Sequence, residues 1–297
     1  WRGNTRFDRL NDMNTTTSKG TYRQFVSTIG KESYNDMTGK LGFSYMINDR
    51  HSIGAYYQNS WNRHNTDGTI PSEIWQNGIL LDLYNSDVHN QSTAVPRHYA
   101  NIYYNGIVGK LNIDFNADYI WYKSRELTFN NELSEMGNDR EVNSSSINRN
   151  RMFAEKLVMT YPLWKGQIEI GEEYTNTRTT NLFSANILET PNADNRVDEN
   201  NIAVSAEFGQ QFGRFMIGAG LRYEHVKFNY YEMGLLRDGQ SKTYNNIFPS
   251  LNIATQVGKV RMGLNYTGKT IRPGYDQLDG AISYINRLTY ETGNPYL

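Results

Sequence analysis

The chain has no cysteine. That removes disulfide frameworks, thiolate nucleophiles and cysteine-ligated zinc, and suits a protein that crosses an oxidising compartment unfolded without mispairing. No run of about 18 apolar residues occurs, so no transmembrane helix is expected. The net charge is only −1, which excludes a broadly basic nucleic-acid binder. Seven prolines in 297 residues are too few for a linker-like chain. A mean hydropathy of −0.70 would suit disorder. Against that stand 22 Tyr, 12 Phe and 5 Trp, too many rings for a chain that avoids burial. The opening Trp1-Arg2-Gly3 has no initiator methionine and no signal peptide, and reads as a processed chain or a fragment.

What is present is alternation. Leu111, Ile113, Phe115, Ala117, Tyr119 and Trp121 share one face of an extended segment, with Asn112, Asp114, Asn116 and Asp118 on the other. The same grammar runs through Met37–Ile47, Ile53–Trp61, Leu157–Tyr161, Ile168–Tyr174, Ile202–Phe208, Phe215–Tyr223, Leu251–Ile253 and Val260–Tyr266. Short turns near residues 49, 107, 164, 211 and 257 join these into five hairpins over 37–267, hence about ten strands. The connections at 62–98, 123–150, 175–200 and 224–246 are long and rich in Asn, Asp, Ser, Thr and Gly, and read as loops. Short turns on one rim and long loops on the other are the plan of an up-and-down barrel.

A second regularity separates lipid from a protein core. Trp61, Trp121, Tyr174, Tyr223 and Tyr266 all keep the apolar parity, each about 9 to 14 residues past its short turn. A spanning strand needs about 9 to 11 residues. Tyr45, Tyr103, Tyr161 and Phe208 sit just before the short turns, as a second, inner girdle. A water-soluble sandwich also alternates, but nothing there fixes aromatics at a set distance from turns. The expected fold is therefore all-β, an antiparallel up-and-down transmembrane β-barrel. The opposite face, with Asn112, Asp114, Asn116, Asp118, Arg222 and Glu224, then lines the lumen as a polar ladder of cross-strand ion pairs, with a wall contacting a plug or ligand as the alternative.

Enzyme signatures dissolve on inspection. Gly263–Thr270 spells a phosphate-binding loop, but it continues a strand, and Pro273 follows where a helix would be needed. Asp114-Asn116-Asp118 imitates the start of a calcium loop, yet Tyr119 and Arg125 stand where glycine and glutamate are required. His51, His64, His89, His98 and His225 have no metal-ligand spacing, and the adjacent Glu172 and Glu173 must face opposite ways on a strand. No catalytic residue, cofactor site or metal site is expected. The apolar stretch Pro71–Tyr84 reads as a small helix or hairpin packed in the barrel mouth, with a ligand-contacting patch as the alternative.

The C-terminal third carries a recognisable wording. Gly220-Leu221-Arg222-Tyr223-Glu224 and Phe248-Pro249-Ser250-Leu251 precede Ile271-Arg272-Pro273-Gly274-Tyr275, and the chain closes on Gly293-Asn294-Pro295-Tyr296-Leu297. This resembles the TonB-dependent receptors, outer-membrane β-barrels in which an Arg-Pro-x-Tyr segment leads through a loop to Gly-Asn-Pro-x-Leu. Arg272, Pro273, Tyr275, Gly293, Asn294 and Pro295 are the matching positions, and their implied role is structural. The likeness is specific over about 200–297, stylistic over 37–199, and leaves 1–36 unplaced. It implies a barrel of 22 strands in a Gram-negative outer membrane, filled by a plug domain. Its implied partners are lipid, the plug, the TonB complex and an extracellular ligand imported into the periplasm. The chain departs from the family in having no recognisable plug and no TonB-binding segment. It is accordingly read as one partial barrel domain, with 268–297 an extracellular loop leading to a missing strand. The alternatives are a complete small barrel acting as pore or outer-membrane enzyme, and a soluble β binding or adhesin module.

Overall fold

The structure is a computed structural model that describes residues 2–94, 97–287 and 289–296. Trp1 and Leu297, quoted above for the chain's two ends, lie outside the described residues. The elements are β1 (Arg2–Thr17), β2 (Gly20–Asn48), β3 (His51–Gln76), β4 (Ile79–Ala94), β5 (Arg97–Val108), β6 (Leu111–Ser134), β7 (Arg140–Leu163), β8 (Gly166–Ala185), β9 (Ala193–Phe212) and β10 (Phe215–Glu232). They continue with β11 (Leu235–Leu236), β12 (Lys242–Val257), β13 (Val260–Thr267), β14 (Ile282–Asn286) and β15 (Thr289–Thr292). β1 to β13 form one antiparallel sheet in chain order, and β14 and β15 pair separately.

Among the described residues fifteen strands thus stand where about ten were expected. β1 and the start of β2 occupy the unplaced 1–36. β4 and β5 share one lane, both lying between β3 and β6. β11, β14 and β15 are short additions. β1 and β13 are the sheet's edges, and no pairing joins them among the described residues. Among the described residues the sheet does not close on itself, and the expectation was of one partial barrel domain.

The presumed long loops are largely strand. β6 and β7 pair from Asn112↔Thr160 to Glu132↔Arg140, and β8 and β9 from Gly166↔Gln210 to Phe183↔Ala193. Beyond the apolar band water bathes both faces. The ladder continues there with polar residues on each side, a composition that reads as loop. Pro71–Tyr84 is a packed hairpin: Asn77 (φ 49°) and Gly78 (φ 82°) form its tip, and Ser72, Ile74 and Tyr84 are buried. An Asn-Gly pair with both residues left-handed matches the twist of two-residue hairpins.

Two short turns lie slightly later than expected, at 109–110 and 213–214, with the others at 49–50, 164–165 and 258–259. Gly106 and Gly209 belong to strands; within these turns the left-handed glycines are Gly109, Gly213 and Gly258. Counted from these turns, the five rings from Trp61 to Tyr266 lie about 7 to 11 residues away. At about 3.4 Å per residue and a tilt near 40°, that is roughly 18 to 29 Å of height, comparable to an apolar band about 25 Å tall.

Register fixes the faces. Met37, Leu41, Phe43 and Tyr45 lie opposite Trp61, Tyr57, Ala55 and Ile53, and this face continues through Leu111–Trp121, Leu157, Ile170, Val204, Leu221 and Leu264. Nothing among the described residues covers it: Leu41 is 79% exposed, Ile247 69% and Leu264 60%. Tyr103 is a correction. It pairs with Gly54 on the other face, where an added Cβ would come within 2.4 Å of its ring, and Tyr104 takes the outward position opposite Ile53.

Candidate functional site: the inner wall and the segment folded over it

The inner face is the one against which residues 268–287 and 289–296 fold. After β13 the chain turns inward, and no helix follows the Gly263–Thr270 look-alike. Arg272 reaches Glu224 on β10 and lies over the Tyr244 ring. Glu224 is also 3.6 Å from Arg222, which holds Glu173 at 2.7 Å; Lys156 holds the same Glu173 at 2.9 Å. A chain of alternating charges therefore runs across four lanes of the wall and ends in the motif arginine. Tyr275 packs against a buried hydrophobic cluster of Val197, Phe228, Tyr230 and Leu278. Burial, then the charge of Glu199, pushes its phenol up to about 12.

The turn just past Arg272-Pro273-x-Tyr275 clasps the second half of the sequence motif. The Gly293 amide donates to the Asp279 carbonyl at 2.8 Å, and the Asn294 amide to the Gln277 carbonyl at 2.6 Å. A Cβ on Gly293 would meet the carbonyl oxygens of Asp279, Gln277 and Asp276 at 2.4, 2.7 and 2.9 Å, so only glycine lets the turn wrap this closely. Asp279 in turn accepts from the side chains of Asn181 and Asn195, which anchors the clasp to β8 and β9.

A second anchor was not read from the sequence. Glu132, 0% exposed, accepts from Arg287 Nε at 2.7 Å, from the Tyr284 hydroxyl at 2.6 Å and from Asn130 at 3.1 Å. Arg287 also reaches Asp82 at 3.4 Å and lies over the Tyr84 ring. This pins the β14–β15 hairpin to β4 and β6. Burial, then the bond to Glu132, raises the Tyr284 phenol above its ordinary value. No motif announces Arg287, because its partner lies 155 residues away.

Between clasp, hairpin and wall lies a cavity of about 1180 Å³. Neutral hydrogen-bonding groups dominate its lining, among them Asn90, Thr128, Ser144, Asn148, Asn150 and Thr179. Its charges are Glu126, Asp276, Asp279 and Glu291 against Arg149 alone. Such a wall can hold a hydroxyl- or amide-rich molecule by many modest bonds, and it repels a polyanion.

The remaining sequence-selected residues lie elsewhere. Asn112, Asp114, Asn116 and Asp118 occupy the inner face of the lower sheet, where Asp118 accepts from Tyr99 and Asn101 at 2.7 Å and Asn116 donates to Asp114 at 3.2 Å. Trp61, Trp121, Tyr174, Tyr223 and Tyr266 are on the outer face; Trp121 stands 5.0 Å from the His98 ring. Pro273 and Pro295 flank the clasp. Register places two carboxylates on the outer face that the sequence reading did not single out there. Glu155 lies opposite Tyr174, and Glu172 lies opposite Leu157 and Val204.

The model of the outer membrane protein beta-barrel family matches residues 108–297, well over half of the chain, and the chain belongs to that family. Its place is the outer membrane. Among solved structures it is similar to the unliganded ferric citrate transporter FecA, at 12% identity and a TM-score of 0.43, over 86% of this chain and 42% of that one. It is similar also to BauA, the ferric preacinetobactin receptor from Acinetobacter baumannii, at 9% identity and 0.35, over 95% and 60%. A third is the outer membrane protease OmpT from Escherichia coli, at 11% identity and 0.26, over 90% and 95%. The chain spans less than half the length of the first of these. No curated protein matches it.

Proposed function

We propose that this chain is part of the barrel of a TonB-dependent receptor, which imports a scarce ligand into the periplasm. The observation that carries the reading is the inward-folded segment. Gln277 and Asp279, just past Arg272–Tyr275, are clasped to Gly293 and Asn294, and the segment is tied to the wall through Glu224, Asn181 and Asn195. A segment so placed narrows the interior from the loop side and leaves a polar cavity beside it, which suits stepwise passage and not a free aqueous pore.

In this reading the edges β1 and β13 pair with further strands of the same protein, because unpaired backbone groups are not tolerated in hydrocarbon. A 22-stranded total, a plug within the lumen and docking to the TonB complex complete it, and the chain has no catalytic role. The cavity wall favours a neutral, hydroxyl-rich ligand over an anionic chelate. The test is uptake in the native host. Deleting the gene should abolish ligand-limited growth, and so should deleting the TonB complex or collapsing the proton gradient. Uptake that persists without the energising complex would reject import of this kind, and a full reading frame with no plug would reject it independently.

A further inference from the structure

Each of the five short turns places a cation in its second position. Arg50 follows Asp49, Lys110 follows Gly109, Lys165 follows Trp164, Arg214 follows Gly213 and Lys259 follows Gly258. Lysine and arginine make up 30 of 297 residues, so composition alone gives such a turn about one time in ten, not five times in five. The turn geometry does not demand charge. In four of the five turns the first residue takes the left-handed backbone, and the second is free to be any side chain. All five cations are exposed and none makes an ion pair among the described residues; Asp49 is the single acid in these turns.

Their height is fixed by their neighbours. Ile47 and Ile53, Val108, Tyr161 and Trp164, Phe212 and Phe215, and Val257 and Val260 flank them as exposed apolar side chains at the strand ends. A long cationic side chain at such a border lays its stem along the hydrocarbon edge and carries its charge to the headgroups. Successive short turns are two strands apart, about 10 Å across the sheet. The cations are therefore strung singly along a rim and not gathered into a patch, which fits a lipid annulus better than a compact protein footprint.

We propose that this rim binds the anionic phospholipid headgroups of the leaflet it faces. The test uses the whole receptor, extracted from its own membrane with its annular lipid, and compares bound phosphatidylglycerol with phosphatidylethanolamine against the bulk ratio. Enrichment of phosphatidylglycerol is expected, falling with added salt. Each turn neutralised in the series Arg50→Gln, Lys110→Gln, Lys165→Gln, Arg214→Gln and Lys259→Gln should lower the local affinity about fivefold. The quintuple variant should reach the bulk ratio while keeping the heat-modifiable gel mobility of a folded barrel. Neutralising outward cations far from the turns (Arg63→Gln, Arg125→Gln, Lys227→Gln) should leave enrichment intact. Equal enrichment in wild type and quintuple variant overturns the proposal. So does a wild type with no enrichment whose quintuple variant loses uptake, since the rim would then meet an anionic protein.

Discussion

Arg287 is the position where a single substitution should act most sharply. Glu132 is fully buried, and its carboxylate is balanced by Arg287 Nε at 2.7 Å. In Arg287→Ala the carboxylate keeps only the Tyr284 and Asn130 donors. Removing one partner of a buried pair costs about 3–5 kcal/mol, because the remaining charge has lost its water as well as its partner. The long ladder of β6 and β7 will not yield to that strain. The β14–β15 hairpin will, since it holds to itself by four pairings and its release lets water reach Glu132. At 1.4 kcal/mol per decade, local opening should become about two to three and a half decades more frequent. Hydrogen exchange read by mass spectrometry on peptides covering 280–292 measures this directly. The double variant Glu132→Met with Arg287→Met removes both charges and should recover most of the protection. Protection in Arg287→Ala within about threefold of wild type would refute the reasoning, as would a double variant no better than the single one.

Other expectations follow from the same wall. Gly293→Ala drives a methyl into three backbone carbonyls that have no flexible end to move. It should destabilise the clasp by about 1–3 kcal/mol, seen as new protease sites within 274–296, and an unchanged digestion pattern would count against the clasp. Tyr275 is buried neutral, so its stabilising contribution is complete below pH 10 and lost as pH rises from 10 toward about 12. The tyrosinate absorbance difference between wild type and Tyr275→Phe should titrate near 12; a midpoint at 10 would place the ring in water. Glu172→Leu removes a carboxylate from the apolar outer face and should raise unfolding free energy in vesicles by up to about 1 kcal/mol at constant m-value. A loss of stability would mean that this face meets something other than lipid.

The sequence alone was enough for whatever depends on parity and local count. Leu111 to Trp121 alternates because a strand turns over every residue, so the apolar and polar faces could be read without coordinates. The short turns could be placed to within a few residues, since a two-residue hairpin is a local object. Strand length could not be read. Asn143 to Ser146 looks like loop, and only the partner strands β6 and β8 make it ladder. Tyr103, assigned to the lipid-facing girdle, faces the other way, and only the pairing with Gly54 shows it.

The site belongs almost wholly to the tertiary structure. Arg272-Pro273-x-Tyr275 and Gly293-Asn294-Pro295 were visible as words. The clasp of Gln277 and Asp279 onto Gly293 and Asn294 was not visible, and the reach of Arg272 to Glu224 and the pinning of Arg287 to Glu132 join residues 48 and 155 positions apart. Side-chain alternation carries information over two residues and a turn over four. A contact across a sheet is set by the sum of every register between its ends, and that sum exists only once the chain has folded.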